Sequence, residues 1–362
     1  MYFGLSEEQT FFQDNVKKFL VDQAPLDVIR QITAEKNTDI QEEIRQGLTN
    51  LGLNALLIPE DYGGLGLDLL FAAAVSEGLG SGVAPIAFTG SYVMAPLAIM
   101  HGGSDVQKEN YLTKISSNTV KFGIGLSEYI GAREDAKLII NGNKVNGKAL
   151  FVIDADDASH FILSDDQGTM FIVDADDSGL EVIELTSVDK TRSYVEILLN
   201  NVTAEILDNT VKNNNAIEKT IDAGRIMLAA DSVGAAQVMI DKSVEYAKER
   251  KQFGRVIGSF QAVKHMCAEM TAELEPCYAI VWHAAHCFDY IPEEARLLAC
   301  QSKSHISEVT KMVAKKATEV HGGMGFTDLL GLHYWFKRIG MNRQLLGSPE
   351  LVRDEAGKIQ GF

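Results

Sequence analysis

Arg250 closes a helical stretch just before Lys251-Gln252-Phe253-Gly254, where the chain must break. A guanidinium at such a break can pair with a pyrophosphate through charge-assisted hydrogen bonds; the plainer reading is a solvated cation at a helix end. Gly322 and Gly323 carry no Cβ and permit close approach of a cofactor to their backbone. His283 and His286 have the i, i+3 spacing of helical metal ligands. They read as helix-surface or interface histidines, with no metal expected. Cys267, Cys277, Cys287 and Cys300 are the only cysteines. No CxxC occurs, and reduced, mostly buried thiols are expected. FVIDADD at 151–157 recurs as FIVDADD at 171–177. Without the ligand spacing of a calcium loop, both read as apolar strands ending in solvated acidic turns. Trp282 and Trp335 read as packing residues. No P-loop and no GxGxxG after a strand is present, which argues against a nucleotide hydrolase or a Rossmann dehydrogenase.

The elements that must position these residues fall into three zones, expected as domains at 1–119, 120–212 and 213–362. The first is helical. Ser6 offers a cap with Gln9 three residues on, and Ser104 caps a later helix. The second is strand-like, with KLIINGNKVNG forming a hairpin around an Asn-Gly turn, and predicts a small β-barrel or sandwich. The third is helical again, with long amphipathic stretches and few breakers. Helix, sheet, helix in that order is an α+β arrangement.

With 33 basic against 50 acidic residues, the formal net charge is −17. That field repels nucleic acid and anionic membranes, and a polyanionic ligand needs locally placed cations. No run approaches the ~20 apolar residues of a membrane helix. The opening MYFGLSEEQTFFQDN lacks the plan of a secretory signal. A cytoplasmic protein is expected.

Four motifs, taken together, resemble the acyl-CoA dehydrogenase family. Pro59-Glu60-Asp61-Tyr62-Gly63-Gly64-Leu65-Gly66 is similar to its PEEYGG turn, and Asp189-Lys190-Thr191-Arg192 with Asn201-Val202 to the exit from its middle domain. The stretch from Tyr246 through Arg250, Gln252, Phe253 and Gly254 to Gln261 and His265 resembles YAxxRxQFGxxIxxFQxxxH. Val320-His321-Gly322-Gly323-Met324-Gly325-Phe326-Thr327 resembles the HGGxGFT loop. The resemblance implies an N-terminal helical domain, a middle β-domain and a C-terminal four-helix bundle, with FAD bound across a dimer interface, and α,β-dehydrogenation of an acyl-CoA thioester. A carboxylate takes the α-proton, the flavin accepts the β-hydride, and an electron-transfer flavoprotein or similar acceptor follows. It assigns cofactor contacts to Ser127, Phe151, Ile153, Arg250, Gln252, Phe253, Gln261, Glu319, Val320, Gly322 and Gly323.

The chain departs from that pattern where the proton is taken. The base of the family's Y-E-G-T turn aligns with Leu346, and the alternative glutamate before an arginine aligns with Gly224, next to Arg225. Asp231 lies two turns beyond Gly224, roughly 10 Å along the helix, and reads as a structural carboxylate with a remote chance of acting as base. Asp222 and Glu218 read as solvated or first-turn residues. The TEPGAGSD loop is reduced to Ser127-Glu128-Tyr129-Ile130-Gly131-Ala132, and Glu319 replaces a common glutamine.

The leading expectation is therefore a base-less subunit of a heteromer, a heterotetramer of the steroid-CoA type, whose homologous partner supplies the glutamate. Alternatives are a homo-oligomeric flavoenzyme with an unrecognised base, or a scaffold that has lost flavin. Cys267 to Phe288 and Ser304 to Val320 carry more apolar and small residues than a solvated face needs, so association through the C-terminal bundle is expected.

Overall fold

The computed structural model describes residues 4–35, 38–131, 137–210 and 215–362. Ala132 and the expected 212/213 boundary lie outside the described residues. In chain order the helices are α1 (Glu7–Gln23), α2 (Leu26–Glu35), α3 (Thr38–Asn50), α4 (Leu69–Ser81), α5 (Ala95–Gly102), α6 (Asp105–Ser116) and α7 (Ser127–Ile130). After the strands come α8 (Asn215–Glu249), α9 (Gln261–Tyr290), α10 (Pro292–His321), α11 (Leu332–Gln344) and α12 (Pro349–Ile359). The backbone forms two compact units. One comprises Met1–Asn37, Ala73–Ala84 and Ile226–Phe362; the other comprises Thr38–Ala72 and Pro85–Arg225. Among the described residues no helix is long and apolar enough to cross a membrane.

The second unit is built around seven strands: β1 (Phe122–Gly125), β2 (Leu138–Asn141), β3 (Lys144–Ile153), β4 (His160–Ser164), β5 (Met170–Asp174), β6 (Leu180–Glu184) and β7 (Tyr194–Ile206). Their order is β2-β3-β1-β4-β5-β7-β6, and β3 also pairs with β7, which closes the sheet into a barrel. Among the described strands only β1 and β4 run parallel. The β2–β3 hairpin pairs Asn141 with Lys144 and turns through Gly142 at φ +62°, the left-handed backbone that a two-residue hairpin loop demands. Inside, Val145, Ala149, Val152, Phe161, Phe171, Val173 and Ile197 are buried, alternating along the strands with outward residues.

The two near-identical acidic tracts part company here. Asp174 is exposed, as a solvated turn requires, but Asp154 is buried. Its Oδ2 accepts hydrogen bonds from the backbone N–H of Gly90 at 2.5 Å and Ser91 at 3.1 Å, at the start of the π-helical turn Thr89–Met94. The solvated reading of the first tract is corrected: its carboxylate caps backbone donors that would otherwise be buried without a partner.

In the first unit α1 begins with the expected capping box: Ser6 Oγ accepts from Gln9 N at 3.1 Å, and Gln9 Oε1 accepts from Ser6 N at 2.9 Å. Helices α4 and α8 cross backbone to backbone. A Cβ added to Gly80 would stand 1.9 Å from the Asp231 carbonyl oxygen, and one added to Gly234 1.9 Å from that of Glu77. Ser76 Oγ donates across the same crossing to Met227 O at 2.8 Å. Helix α10 runs through the interior. Ile306, Val309, Val313, Ala314, Ala317 and Val320 are all buried within this single chain. The small and apolar residues of 304–320 are thus used in the chain's own packing, and they do not supply the surplus that the association argument drew on.

Because the crossing depends on two missing side chains, Gly234→Ala is expected to destabilise the fold by about 1–3 kcal/mol in urea unfolding, through overpacking. That loss exceeds the roughly 1 kcal/mol that alanine gains over glycine in a helix. Gly340→Ala is the control. Gly340 is exposed in α11 and an added Cβ meets nothing within 4 Å, so that variant should be neutral or slightly more stable.

Candidate functional site

Within the first unit, the end of α8 and the end of α10 lie together, joined by a 4.6 Å stack of Tyr246 on His321. Beyond α8, strands β8 (Lys251–Gln252) and β9 (Arg255–Val256) form a minimal hairpin. Its loop, Phe253-Gly254, has φ +53° and +79°, the two positive values of a type I′ turn. This geometry presents Phe253 at 91% exposure. Its ring meets Phe260 edge-on at 6.1 Å, and the Arg255 guanidinium lies 4.0 Å over Phe260. Arg250, Lys251 and Gln252 are exposed on the same hairpin, and Gln261 follows at the start of α9.

On the other side of the stack, α10 stops at Gly322, whose φ of 57° and ψ of −139° are essentially reserved for glycine. A Cβ built on Gly322 or Gly323 meets nothing within 4 Å. The backbone is a bare shelf, with Phe326 at 82% exposure beyond it. Glu319 faces solvent while Val320 is buried, so of these two only the acid can reach a ligand with its side chain. Cations, an exposed aromatic ring and uncovered backbone thus gather in a chain of net charge −17. That combination suits a ligand with phosphate and a planar ring.

Within the second unit, a second group surrounds the end of β3. The register of β3 against β7 slips between Ala149 and Val152, and the bulge holds Phe151 at φ +51° with its ring 41% exposed. Ile153 next to it is buried and pairs with Ile124 and Tyr194. Ser127, at the start of α7, donates from Oγ to Leu150 O at 2.5 Å. Glu128 accepts from Leu150 N at 3.3 Å through Oε1, and its Oε2 is buried with no partner among the described residues. Burial pushes this carboxyl up to about 7, against the weaker pull of its own and Leu150's backbone N–H groups. Sequence reasoning quoted Glu128 without giving it a task. The only signal was an acid inside an otherwise apolar turn.

The two positions that the sequence aligns with the family's base carry leucine and glycine, neither a proton acceptor. Leu346, half-buried at the α11–α12 turn, has φ +57° and is followed by Gly347 at +103° and Ser348, the cap of α12. Gly224 is buried within α8. Asp222 is also buried, 3.8 Å from the guanidinium of Arg225, which corrects its solvated reading; Glu218 accepts from Tyr129 Oη at 3.1 Å. Asp231 is gripped rather than poised. Arg338 reaches it through Nε at 2.9 and 3.1 Å and through Nη2 at 2.7 Å, and Asn342 Nδ2 donates at 2.6 Å. A carboxylate so engaged is a structural anchor. Neither Arg338 nor Asn342 carries a signal in the sequence, because both approach Asp231 from another helix.

Residues 6–119 match the acyl-CoA dehydrogenase N-terminal domain, and residues 214–359 the acyl-CoA dehydrogenase C-terminal domain. The chain is 30% identical over 377 residues to the probable acyl-CoA dehydrogenase YngJ of Bacillus subtilis, covering 98% of each. It is 29% identical over 355 residues to the caffeyl-CoA reductase–Etf complex subunit CarC of Acetobacterium woodii, covering 90% of each. Among solved structures, the Tcur3481-Tcur3483 steroid ACAD superposes with a TM-score of 0.88 at 26% identity, over 98% of each chain. The chain belongs to the acyl-CoA dehydrogenase family, whose members bind FAD.

Two predictions follow from the buried acids. Asp231→Asn should cost about 3–5 kcal/mol in urea unfolding, because it leaves the Arg338 charge buried without its counter-ion. Glu128 works in the opposite sense. Its folded carboxyl titrates near 7 against an ordinary 4.5, so the folded form holds a proton that the unfolded chain releases. Stability is complete below about pH 4.5 and is lost as pH rises toward 7. Glu128→Gln should abolish that slope and be more stable than the parent at pH 8, by on the order of 2 kcal/mol. Unfolding curves at pH 5 and pH 8 check both the sign and the window.

Proposed function

We propose that this chain is the FAD-holding, base-less subunit of a heteromeric acyl-CoA dehydrogenase, in which a homologous partner supplies the carboxylate that removes the α-proton. The observation that carries the reading is at Leu346 and Gly224: neither can accept a proton, while the turn and helix around them are intact. The steroid ACAD named as a pair, Tcur3481-Tcur3483, supports a heteromer and a bulky thioester substrate. CarC, named as a subunit of a complex with Etf, supports an electron-transfer flavoprotein as acceptor.

The residues present fit a flavin dinucleotide. Gly322 and Gly323 leave a shelf that any side chain would occupy, Arg250 offers a guanidinium to a pyrophosphate, and Phe253 and Phe151 offer exposed rings. Gln252, Gln261, Ser127, Ile153, Val320 and Glu319 complete the proposed contacts. Glu319 opposes the rest with its negative charge. Bound FAD would supply the hydride acceptor for the substrate's β-carbon. This chain's own contribution is to bind and orient. The backbone N–H of residue 346 remains whatever its side chain, and can polarise a thioester carbonyl. What is missing is the proton acceptor. The proposed division into domains at 1–119, 120–212 and 213–362 follows the family plan.

The purified chain should not dehydrogenate acyl-CoA thioesters alone, and should do so with its genomic-neighbour homologue. Leu346→Glu should gain activity on a panel of straight-chain and steroid CoA esters, since a positioned base contributes ~10²–10⁴-fold. Arg250→Ala should lower FAD occupancy measured from flavin absorbance. Robust activity of the unmodified chain without a partner would refute the reading.

A further inference from the structure

We propose that the turn between α9 and α10 is a binding site for a divalent transition-metal ion, zinc or one of similar chemistry, with His283, Cys287 and Glu294 as its ligands. The proposal is independent of the flavin reading, since none of these residues belongs to the groups described above.

The site arises from the geometry of one turn. His283 and Cys287 are four residues apart on α9, so they lie one above the other on the same face. Helix α9 ends at Tyr290, Ile291 alone separates it from α10, and Pro292 starts α10 in the favoured first position. The chain therefore reverses within a single residue and brings Glu294, in the first turn of α10, back against the end of α9. One ligand atom from each of the three residues lies within 4.8 Å of the other two. Tetrahedral zinc at ~2.0–2.3 Å from its ligands sets them roughly 3.5 Å apart, so closing the site asks for side-chain rotation of about 1 Å. The carboxylate of the trio is supplied by the next helix.

The donor set narrows the ion. An imidazole nitrogen and a thiol sulfur favour zinc, cobalt or nickel over magnesium or calcium, which prefer oxygen shells. Glu294 adds the anionic oxygen common in mixed zinc sites. Cys287 is buried, His283 half-buried and Glu294 exposed, so the ion enters from the carboxylate side and a solvent molecule completes the tetrahedron. His283 also borders an open groove with Ile280, Leu298 and Gln301. On binding, the Cys287 thiol gives its proton to solvent and the sulfur takes the metal in its place.

The test uses the full-length chain, stripped with a chelator and titrated with Co²⁺. One ion per chain is expected, with tetrahedral ligand-field bands, a thiolate-to-cobalt charge-transfer band, and displacement by Zn²⁺. Cys287→Ser should remove the charge-transfer band. Glu294→Gln, exposed and harmless to folding, should weaken binding about tenfold or more while keeping that band. His286→Asn, whose parent ring lies 4.7 Å from Tyr290, should leave binding unchanged. Absence of the charge-transfer band in the unmodified chain, or Co²⁺ affinity in Glu294→Gln and His283→Asn equal to that of the unmodified chain, would show an adventitious ion only and overturn the proposal.

Discussion

The ion pair between Asp231 and Arg338 is the constraint around which the first unit is arranged. It is buried on both sides, 2% exposed at each residue, and sits where α4 and α8 touch through Gly80 and Gly234. Arg338 also donates to Ala84 O at 2.8 Å, so one guanidinium ties α11 to α8 and to the segment that follows α4. Asn342, a turn further along α11, binds both Asp231 and Ser232, and its own carbonyl accepts from the buried Lys303 of α10. Glycine at the crossing lets the helices approach, and the charge network fixes their rotation. A slip of α11 by one residue would strand a charge in the interior, which is far costlier than any single packing defect.

That arrangement is independent of the residues at 346 and 224. The helices meet through glycines and a charge network, and none of these contacts involves residue 346 or residue 224. The α11–α12 turn is shaped by Gly347 and by the Ser348 cap, whose Oγ accepts from Leu351 N at 3.4 Å. Chemistry and architecture are separable here because different residues carry them. The exposed hairpin around Phe253 is likewise set by two positive-φ residues.

What could be read in the sequence was local. The capping box at Ser6 and Gln9, the hairpin at Asn141–Lys144 and the glycine-ended α10 each depend on residues within a few positions of one another, so spacing alone exposes them. The tracts at 151–157 and 171–177 mark the limit. Nearly the same seven letters place one aspartate in solvent and the other beneath a π-helical turn, because the deciding partners, Gly90 and Ser91, lie more than sixty residues away. Arg338 and Glu128 were illegible for the same reason. A charge's task is set by what packs over it, and no periodicity records that. At the candidate site, the motif residues Arg250, Phe253, Gly322 and Gly323 were legible as types, whereas the stack of Tyr246 on His321 that brings their two turns together was not.

The carboxyl of Glu128, held near 7 by burial, makes proton inventory part of any binding event at the β3 bulge. At neutral pH the population of chains is divided between its two protonation states. A molecule that covers Ser127 and Phe151 removes more water from this acid and draws the divided population toward the neutral form. Association then takes up a fraction of a proton from the buffer. The heat released will carry the buffer's own ionisation enthalpy, and will differ between phosphate and Tris even when the affinity does not.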